Sequence, residues 1–297
     1  MSIIATDIIK RYEPLAANSV QSVLNEFGLK SVCQSARCPN IYECFKKGCV
    51  TFLILGDKCT RGCGFCSVQK GSDLCAVDPG ECDSILEVVK LLALKHVIIT
   101  SVTRDDLEDR GASQFIRVIE ILKNWSGGIM VEVLTPDFGG ERALIEKVAL
   151  SKPDVFGHNI ETVKRLYPTA RNSSDYDSSL RLLKWVKEFD AEQLTKSGMM
   201  LGLGETREEI IETMKDLRLA GCDILTLGQY LRPGPKNIPV ERFLEPDEFE
   251  SYREIGFRLG FKDVSAGPFI RSSYFAERSY KKIKGGLDDE CCSAVFS

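Results

Sequence analysis

Six cysteines fall within 34 residues as two triplets, Cys33-x4-Cys38-x5-Cys44 and Cys59-x3-Cys63-x2-Cys66. A thiolate is both a nucleophile and a metal ligand. At short loop spacings, soft thiolates select zinc, copper(I) or iron–sulfur clusters over hard cations. A structural zinc site closes with four protein ligands, commonly in Cx2C pairs, whereas each triplet here offers three. Three cysteines on a four-iron cluster leave one iron open to a non-cysteine ligand, which makes the site a place for chemistry and not only an electron relay. The two histidines, His96 and His158, supply little for proton relays or two-histidine metal sites, and His158 reads as loop packing. Cys49, Cys75, Cys82, Cys222, Cys291 and Cys292 read as small buried hydrophobes, with Cys49 close enough to the first triplet to compete for assignment as a ligand.

These residues need elements to hold them, and 297 residues at 43% hydrophobic can bury a large core. Apolar β-rich runs at Thr51–Leu55, His96–Ser101, Ile129–Leu134, Asp154–His158, Met199–Leu203 and Asp223–Leu227 alternate with helical patterns. The helices are expected at about Asp83–Leu94, Ser113–Asn124, Glu141–Leu150, Asp177–Phe189 and Thr206–Leu219, the last with a capping-box spacing of Thr206 and Glu209. This alternation predicts an α/β fold, a partial (β/α)6 TIM-type barrel with a parallel sheet and right-handed crossovers. Residues 1–50 read as an N-terminal extension, 51–261 as the barrel and 262–297 as a C-terminal tail, polar and frayed from Lys281 onward. In such a barrel the segments after each strand line the functional face. They are Asp57 to Cys66, Val102 to Asp106, Thr135 to Asp137, Asn159 to Glu161, Gly204 to Glu205 and Gln229 to Arg232.

Composition excludes several classes. A formal charge of −4 gives no basic face for phosphate, and no run approaches 18 apolar residues, so neither nucleic acid nor membrane is an expected partner. The start shows no secretory pattern and no Arg- and Ser-rich leader, so reduced thiols in a bacterial-type cytoplasm are expected.

The loop Cys59-Thr60-Arg61-Gly62-Cys63-Gly64-Phe65-Cys66 resembles the cluster loop of the radical S-adenosylmethionine superfamily, with Gly62 and Gly64 letting the backbone approach the sulfides. The resemblance implies that the fourth iron chelates the methionyl part of the cofactor and that reductive cleavage gives a 5′-deoxyadenosyl radical. A closer resemblance is to the lipoyl synthase family. It is carried by Ala36-Arg37-Cys38-Pro39-Asn40 with Cys44, Leu55-Gly56-Asp57, Thr100 to Leu107, Val131 to Asp137 and Asn159 to Val163. It continues through Thr195 to Gly198, Leu201 to Thr206, Leu227 to Leu231 and Arg271-Ser272-Ser273-Tyr274, covering about residues 20 to 277. Departures are Phe275 where histidine is common, Gly157 where asparagine is common, and Arg232-Pro233-Gly234 in place of a more usual Gln-Pro-Thr.

This resemblance implies insertion of two sulfur atoms at carbons six and eight of an octanoyl chain already amide-linked to a carrier lysine. Two 4Fe-4S clusters and S-adenosyl-L-methionine are the implied cofactors. Cys59, Cys63 and Cys66 would hold the radical-generating cluster; Cys33, Cys38 and Cys44, with Ser273 on the fourth iron, would hold the sacrificed one, and the tail would fold back over the barrel mouth. Thr100, Ser101, Asn159, Glu161, Leu201, Gly202 and Gly204 are expected near the cofactor, although strand-end polar groups also cap helices. Implied partners are octanoylated lipoyl carrier domains (the 2-oxoacid dehydrogenase acyltransferase or the glycine cleavage carrier protein), a reduced ferredoxin or flavodoxin type electron donor, and a cluster-repair iron–sulfur carrier. The alternatives are another radical S-adenosylmethionine enzyme of biotin-synthase-like or methylthio-transferring type, which the first triplet and Ser273 oppose, and a non-catalytic electron carrier, which usually has four cysteines per cluster.

Overall fold

The computed structural model describes residues 14–47, 49–274 and 276–285. The readings of Phe275, Cys291 and Cys292 lie outside these residues. The N-terminal segment forms α1 (Pro14–Glu26), β1 (Lys30–Ser31), α2 (Val32–Ser35) and α3 (Ile41–Lys46). The barrel strands are β2 (Val50–Ile54), β5 (His96–Ser101), β6 (Met130–Leu134), β7 (Val155–Gly157), β8 (Leu194–Leu201), β9 (Ile224–Gln229) and β10 (Asp263–Gly267), while β3 (Lys58–Cys59) and β4 (Gln69–Lys70) form a separate parallel pair. Interleaved with them are α4 (Glu81–Leu91), α5 (Ala112–Asn124), α6 (Arg142–Leu150), α7 (Tyr167–Ala170), α8 (Tyr176–Phe189), α9 (Arg207–Leu219) and α10 (Pro246–Arg258); α11 (Ala276–Ile283) ends the described chain. The sheet runs β1-β2-β5-β6-β7-β8-β9-β10, parallel except for the antiparallel β1–β2 contact, and is open between β1 and β10. This is the partial barrel that the alternation predicts.

The pattern arises from burial on two faces. The strand β2 is buried throughout, as a parallel strand covered on both sides should be. On α5, Phe115, Val118, Ile119 and Leu122 share one stripe against the sheet, each contributing about 1.5–3 kcal/mol by leaving water. The capping box expected at α9 is present, with Thr206 accepting from the Glu209 amide and Glu209 from the Thr206 amide.

Three differences have physical causes. The strand β8 starts at Leu194, five residues before the apolar run, because Thr195, Lys196 and Ser197 are buried polar residues. Lys196 Nζ meets Glu132 Oε1 at 2.8 Å inside the barrel, so the sequence there lacks a strand's hydrophobic signature. Both flanking segments join the sheet: β1 pairs with β2, and β10, with its polar Asp263 and Ser265, pairs with β9. Of the tail expected to fray, residues 281–283 instead belong to α11, where Lys281 pairs with Glu277, and Lys282 and Ser279 reach Asp263, while residues 286–297 lie outside the described residues.

The tail does more than cross the mouth. After β10 it turns inward, Asn40 Nδ2 donates to Phe269 O at 2.6 Å, and the segment Ile270–Ser272 lies against β8 and β9. A Cβ on Gly228 would sit 2.1 Å from Ile270 O, and one on Gly198 2.5 Å from Ser272 Oγ, so these two glycines make room for the descending chain. Beyond it, Tyr280 and Ile283 of α11 pack on Val155, Leu194 and Ile224, at the starts of β7, β8 and β9. No helix among the described residues is long and apolar enough to cross a membrane.

Candidate cluster sites at the two ends of the barrel

The cysteine loop leaves the C-terminal end of β2 through Leu55, whose φ of 67° is unusual for a branched residue and whose amide is held by Glu81. Arg104 Nη1 donates to Leu55 O at 3.1 Å. Inside the loop, the amides of Arg61 and Val68 donate to the sulfurs of Cys59 and Cys66, each at 3.4 Å. Backbone bonds to Ala170 and Ile238, and Asn237 Nδ2 donating to Cys66 O at 2.8 Å, tie the loop to distant segments. At Gly64 a Cβ would stand 2.8 Å from Thr169 O, so the protein packing alone already calls for glycine there. At Gly62 the neighbour is the flexible Lys70 side chain.

Arg61 anchors the loop electrostatically. It forks onto Asp105 at 2.7 and 2.8 Å, reaches Asp137 at 2.6 Å and Ser174 at 3.0 Å, and is largely buried. Burial alone would raise the Asp137 carboxyl; the Arg61 bond and charge overcome this and hold it at about 2. Burial pushes the Cys63 and Cys66 thiols up, Cys66 to about 12, and both feel Glu161 and Cys59. Arg171 opposes the rise at Cys63. The raised Cys63 and Cys66 thiols would favour the thiolate only when cations share the site, which is the setting an iron cluster provides.

The first triplet gathers at the other end. Cys33 and Cys44 share one cavity with Cys49, Val50, Thr51, His96, Ile98, Ser273 and Ala276, around the first residues of β2 and β5. Burial raises Cys33 to about 11, with Cys38 adding to the rise, and raises Cys44 further, with Cys33, Cys38 and Cys49 contributing by charge. Among the described residues no three His, Cys, Asp or Glu side chains converge on one point as for a single ion. The cavity brings Ser273 from the tail to Cys33 and Cys44 from the N-terminal segment. Arg271 is close enough to Cys38 to feel its charge, and its guanidinium donates to the carbonyls of Pro268 and Ile270. Tyr274 OH reaches Glu43 at 3.0 Å.

The remaining expected contacts divide. Asn159 and Glu161 stand together at the end of β7 beside Arg171, which donates to Asn159 O at 2.8 Å. Burial raises the Glu161 carboxyl, while Arg171 and the Asn159 amide pull it down. Thr100 Oγ1 is committed to Leu134 O, whereas Ser101 Oγ is buried without a protein partner. Leu201 turns its side chain into the core under the helices. Gly202 and Gly204 adopt φ near 100°, in a turn where Glu205 accepts from the amides of Gly202 and Leu203. Glu205 and Gln229 are thus structural: Gln229 spends its amide on Tyr230, Arg242 and Leu244.

Residues 53–217 match the radical SAM superfamily. The chain is 51% identical over 268 residues to lipoyl synthase of Caldicellulosiruptor saccharolyticus, covering 90% of this chain and 94% of that protein. It is 49% identical over 274 residues to the Alkaliphilus metalliredigens lipoyl synthase, covering 92% and 94%. The chain belongs to the lipoyl synthase family. The Thermus thermophilus member is 47% identical over 271 residues, covering 91% of this chain and 82% of that one. In fold alone the chain is similar to methylornithine synthase, with a TM-score of 0.55, 16% identity and coverage of 88% and 85%. It is also similar to Streptococcus suis SuiB bound to S-adenosylmethionine, with a TM-score of 0.56, 15% identity and coverage of 79% and 54%.

Within this family fold, sequence reasoning missed Arg171, Asn237 and the buried group His96–Glu132–Lys196. His96 Nε2 lies 3.8 Å from Glu132 Oε2, and burial, with Lys196, holds the imidazole neutral at about 3. Cys82 and Cys222 are buried as expected. Cys75 is exposed, being in a polar loop, and Cys49 lines the cavity. His158 is a packing residue, bonded through Nδ1 to Thr135 O at 2.9 Å. In the divergent Arg232-Pro233-Gly234 segment, Arg232 binds the carbonyls of Pro235 and Asn237 and so steadies the residue that holds the cysteine loop.

Proposed function

We propose that this chain inserts two sulfur atoms at carbons six and eight of an octanoyl chain amide-linked to a lysine of a lipoyl carrier domain, giving the lipoyl cofactor. One observation carries the reading: two cysteine triplets gather at separate places on one barrel, and Ser273 lines the cavity of Cys33 and Cys44. Cys59, Cys63 and Cys66 lie past the C-terminal end of β2, whereas Cys33, Cys44 and Ser273 surround its start, separated by about a five-residue strand, on the order of 15 Å. A saturated chain lying along that interval can present its carbons to both sites.

When bound, the loop cluster with S-adenosylmethionine supplies the hydrogen-abstracting radical and the second cluster supplies the sulfur. The chain's own contribution is placement. Arg61, bound by Asp105 and Asp137, fixes the loop; Asn159, Glu161 and Ser101, with the turn at Gly202 and Gly204, frame the cofactor. Cys33, Cys38, Cys44 and Ser273 would hold the sacrificed cluster, the serine supplying a harder oxygen donor than a thiolate. Ile98 offers apolar surface to the alkyl chain beside the second site. Octanoylated carrier domains, a reduced ferredoxin or flavodoxin type donor, a cluster-repair carrier and a cytoplasmic setting complete the proposal, and the N-terminal extension, barrel and tail act as its three parts.

The experiment is anaerobic incubation of the reconstituted chain with S-adenosylmethionine, dithionite and a short octanoyl-lysine peptide, read by mass spectrometry. A gain of two sulfurs on the peptide is the expected result. Cofactor cleavage with a methylthio product, or no cleavage, would remove this reading in favour of another radical enzyme or an electron carrier.

A further inference from the structure

One short chain of contacts joins the two candidate sites. Arg271–Tyr274 form a turn closed by the Tyr274 amide on Arg271 O at 2.9 Å, and its adjacent serines diverge. Ser273 lines the cavity with Cys33 and Cys44. Ser272 Oγ donates instead to Asn159 Oδ1 at 2.8 Å. The Asn159 side chain stands close enough to Glu161 to favour its carboxylate. Glu161 in turn lies close enough to Cys63 and Cys66 to act on both thiols, and beside Arg171.

The geometry around this chain is constrained at each step. Glu161 is held at φ 68° between Gly198 O and the Met200 amide, a conformation that persists for a side-chain-bearing residue only where its surroundings over-determine it. A Cβ on Gly198 would stand 2.5, 2.7 and 2.9 Å from Ser272 Oγ, Thr226 Oγ1 and Asn159 Oδ1. The barrel wall is therefore shaped around the Ser272–Asn159 bond.

We infer that Ser272 is a positioning residue which makes S-adenosylmethionine binding at the cysteine loop depend on assembly of the second site, acting through Asn159 and Glu161. The inference rests on the proposed function. A ligated Ser273 pins the turn, so that Ser272 holds Asn159 and Asn159 holds Glu161. Without a ligated Ser273 the turn would be free to move, and Asn159 would no longer be held beside the Glu161 carboxylate. The cofactor is then bound best when the sulfur source is in place, and by reciprocity a bound cofactor stabilises the assembled second site.

The test uses the full reconstituted chain, with S-adenosylmethionine binding read by equilibrium dialysis and by the change it causes in the electron paramagnetic resonance spectrum of the loop cluster. Removing the second site through Cys33→Ala, Cys38→Ala and Cys44→Ala together should weaken binding about fivefold, the scale of one hydrogen bond. Ser272→Ala alone should weaken it by a similar factor with the second cluster assembled, and the combined variant should be no weaker than either. Ser272→Thr retains the hydroxyl and Ser272→Val does not, so this isosteric pair isolates the bond if alanine perturbs the turn. Wild-type binding in Ser272→Val, or effects that multiply in the combined variant, would overturn the coupling and leave the proposed function standing. Absence of any cofactor binding by the intact chain would overturn both.

Discussion

Arg61 shows what a single residue adds to the cysteine motif. Its guanidinium bridges Asp105 and Asp137, so the loop is fixed to the ends of two neighbouring strands before any iron arrives. Asp137 titrates at about 2 against an ordinary 3.8, because the Arg61 bond and charge outweigh burial. A carboxyl with a depressed folded pKa contributes stability that is complete above its unfolded value and is lost as pH falls through the folded one. The contribution here is about 2 kcal/mol. Denaturant unfolding should therefore show wild type more stable than Asp137→Asn from neutral pH down to about 4, with the difference vanishing as pH approaches about 2. A difference that does not change over this window would mean that the ion pair is not its source. The cysteine triplets were legible because residue type and spacing are local signals, and Ser273 was singled out only through the family resemblance, whereas Arg61–Asp137 and Asn237–Cys66 join positions 76 and 171 residues apart with no local period to reveal them.

At the scale of elements, legibility follows the polarity of what is buried. The strands β2, β5 and β6 are apolar and were expected nearly in place. The start of β8 was not, because Lys196 there is buried against Glu132, and β10 was not, because Asp263 is buried by contacts with α11 that lie outside any strand pattern. The tail's course depends on glycines whose meaning is tertiary. Gly228→Ala is tolerated by an isolated strand, yet its Cβ would strike Ile270 O and push the descending segment away from β9. The variant should lose iron from the second site while keeping the loop cluster, and should expose the tail to limited proteolysis. Gly71→Ala, whose Cβ would meet only the Lys58 side chain at 3.2 Å or more, is the control. Equal iron content and equal proteolysis in the two variants would show that tail seating does not depend on this contact.

For the molecule as a whole, the fold holds its two thiol triplets at separate places, Cys59, Cys63 and Cys66 past the end of β2 and Cys33 and Cys44 near its start, and the proposed function divides the labour between them. In the proposed function, a sulfur source about one strand length from the cysteine loop would leave room for the alkyl chain between them. The antiparallel β1 carries the N-terminal triplet to the start of β2, and α11 closes the tail against the starts of β7, β8 and β9. The chain ends therefore build the second site and the central barrel builds the first. Replacing Cys59, Cys63 or Cys66 by alanine should abolish both deoxyadenosine formation and sulfur insertion. Replacing Cys33, Cys38 or Cys44 should spare deoxyadenosine formation at saturating S-adenosylmethionine and abolish sulfur insertion. Chromatographic assay of deoxyadenosine beside mass spectrometry of the peptide distinguishes the two classes. Lipoyl product from a chain lacking the N-terminal triplet would show that the sulfur comes from elsewhere, and the far end of the barrel would then need another purpose.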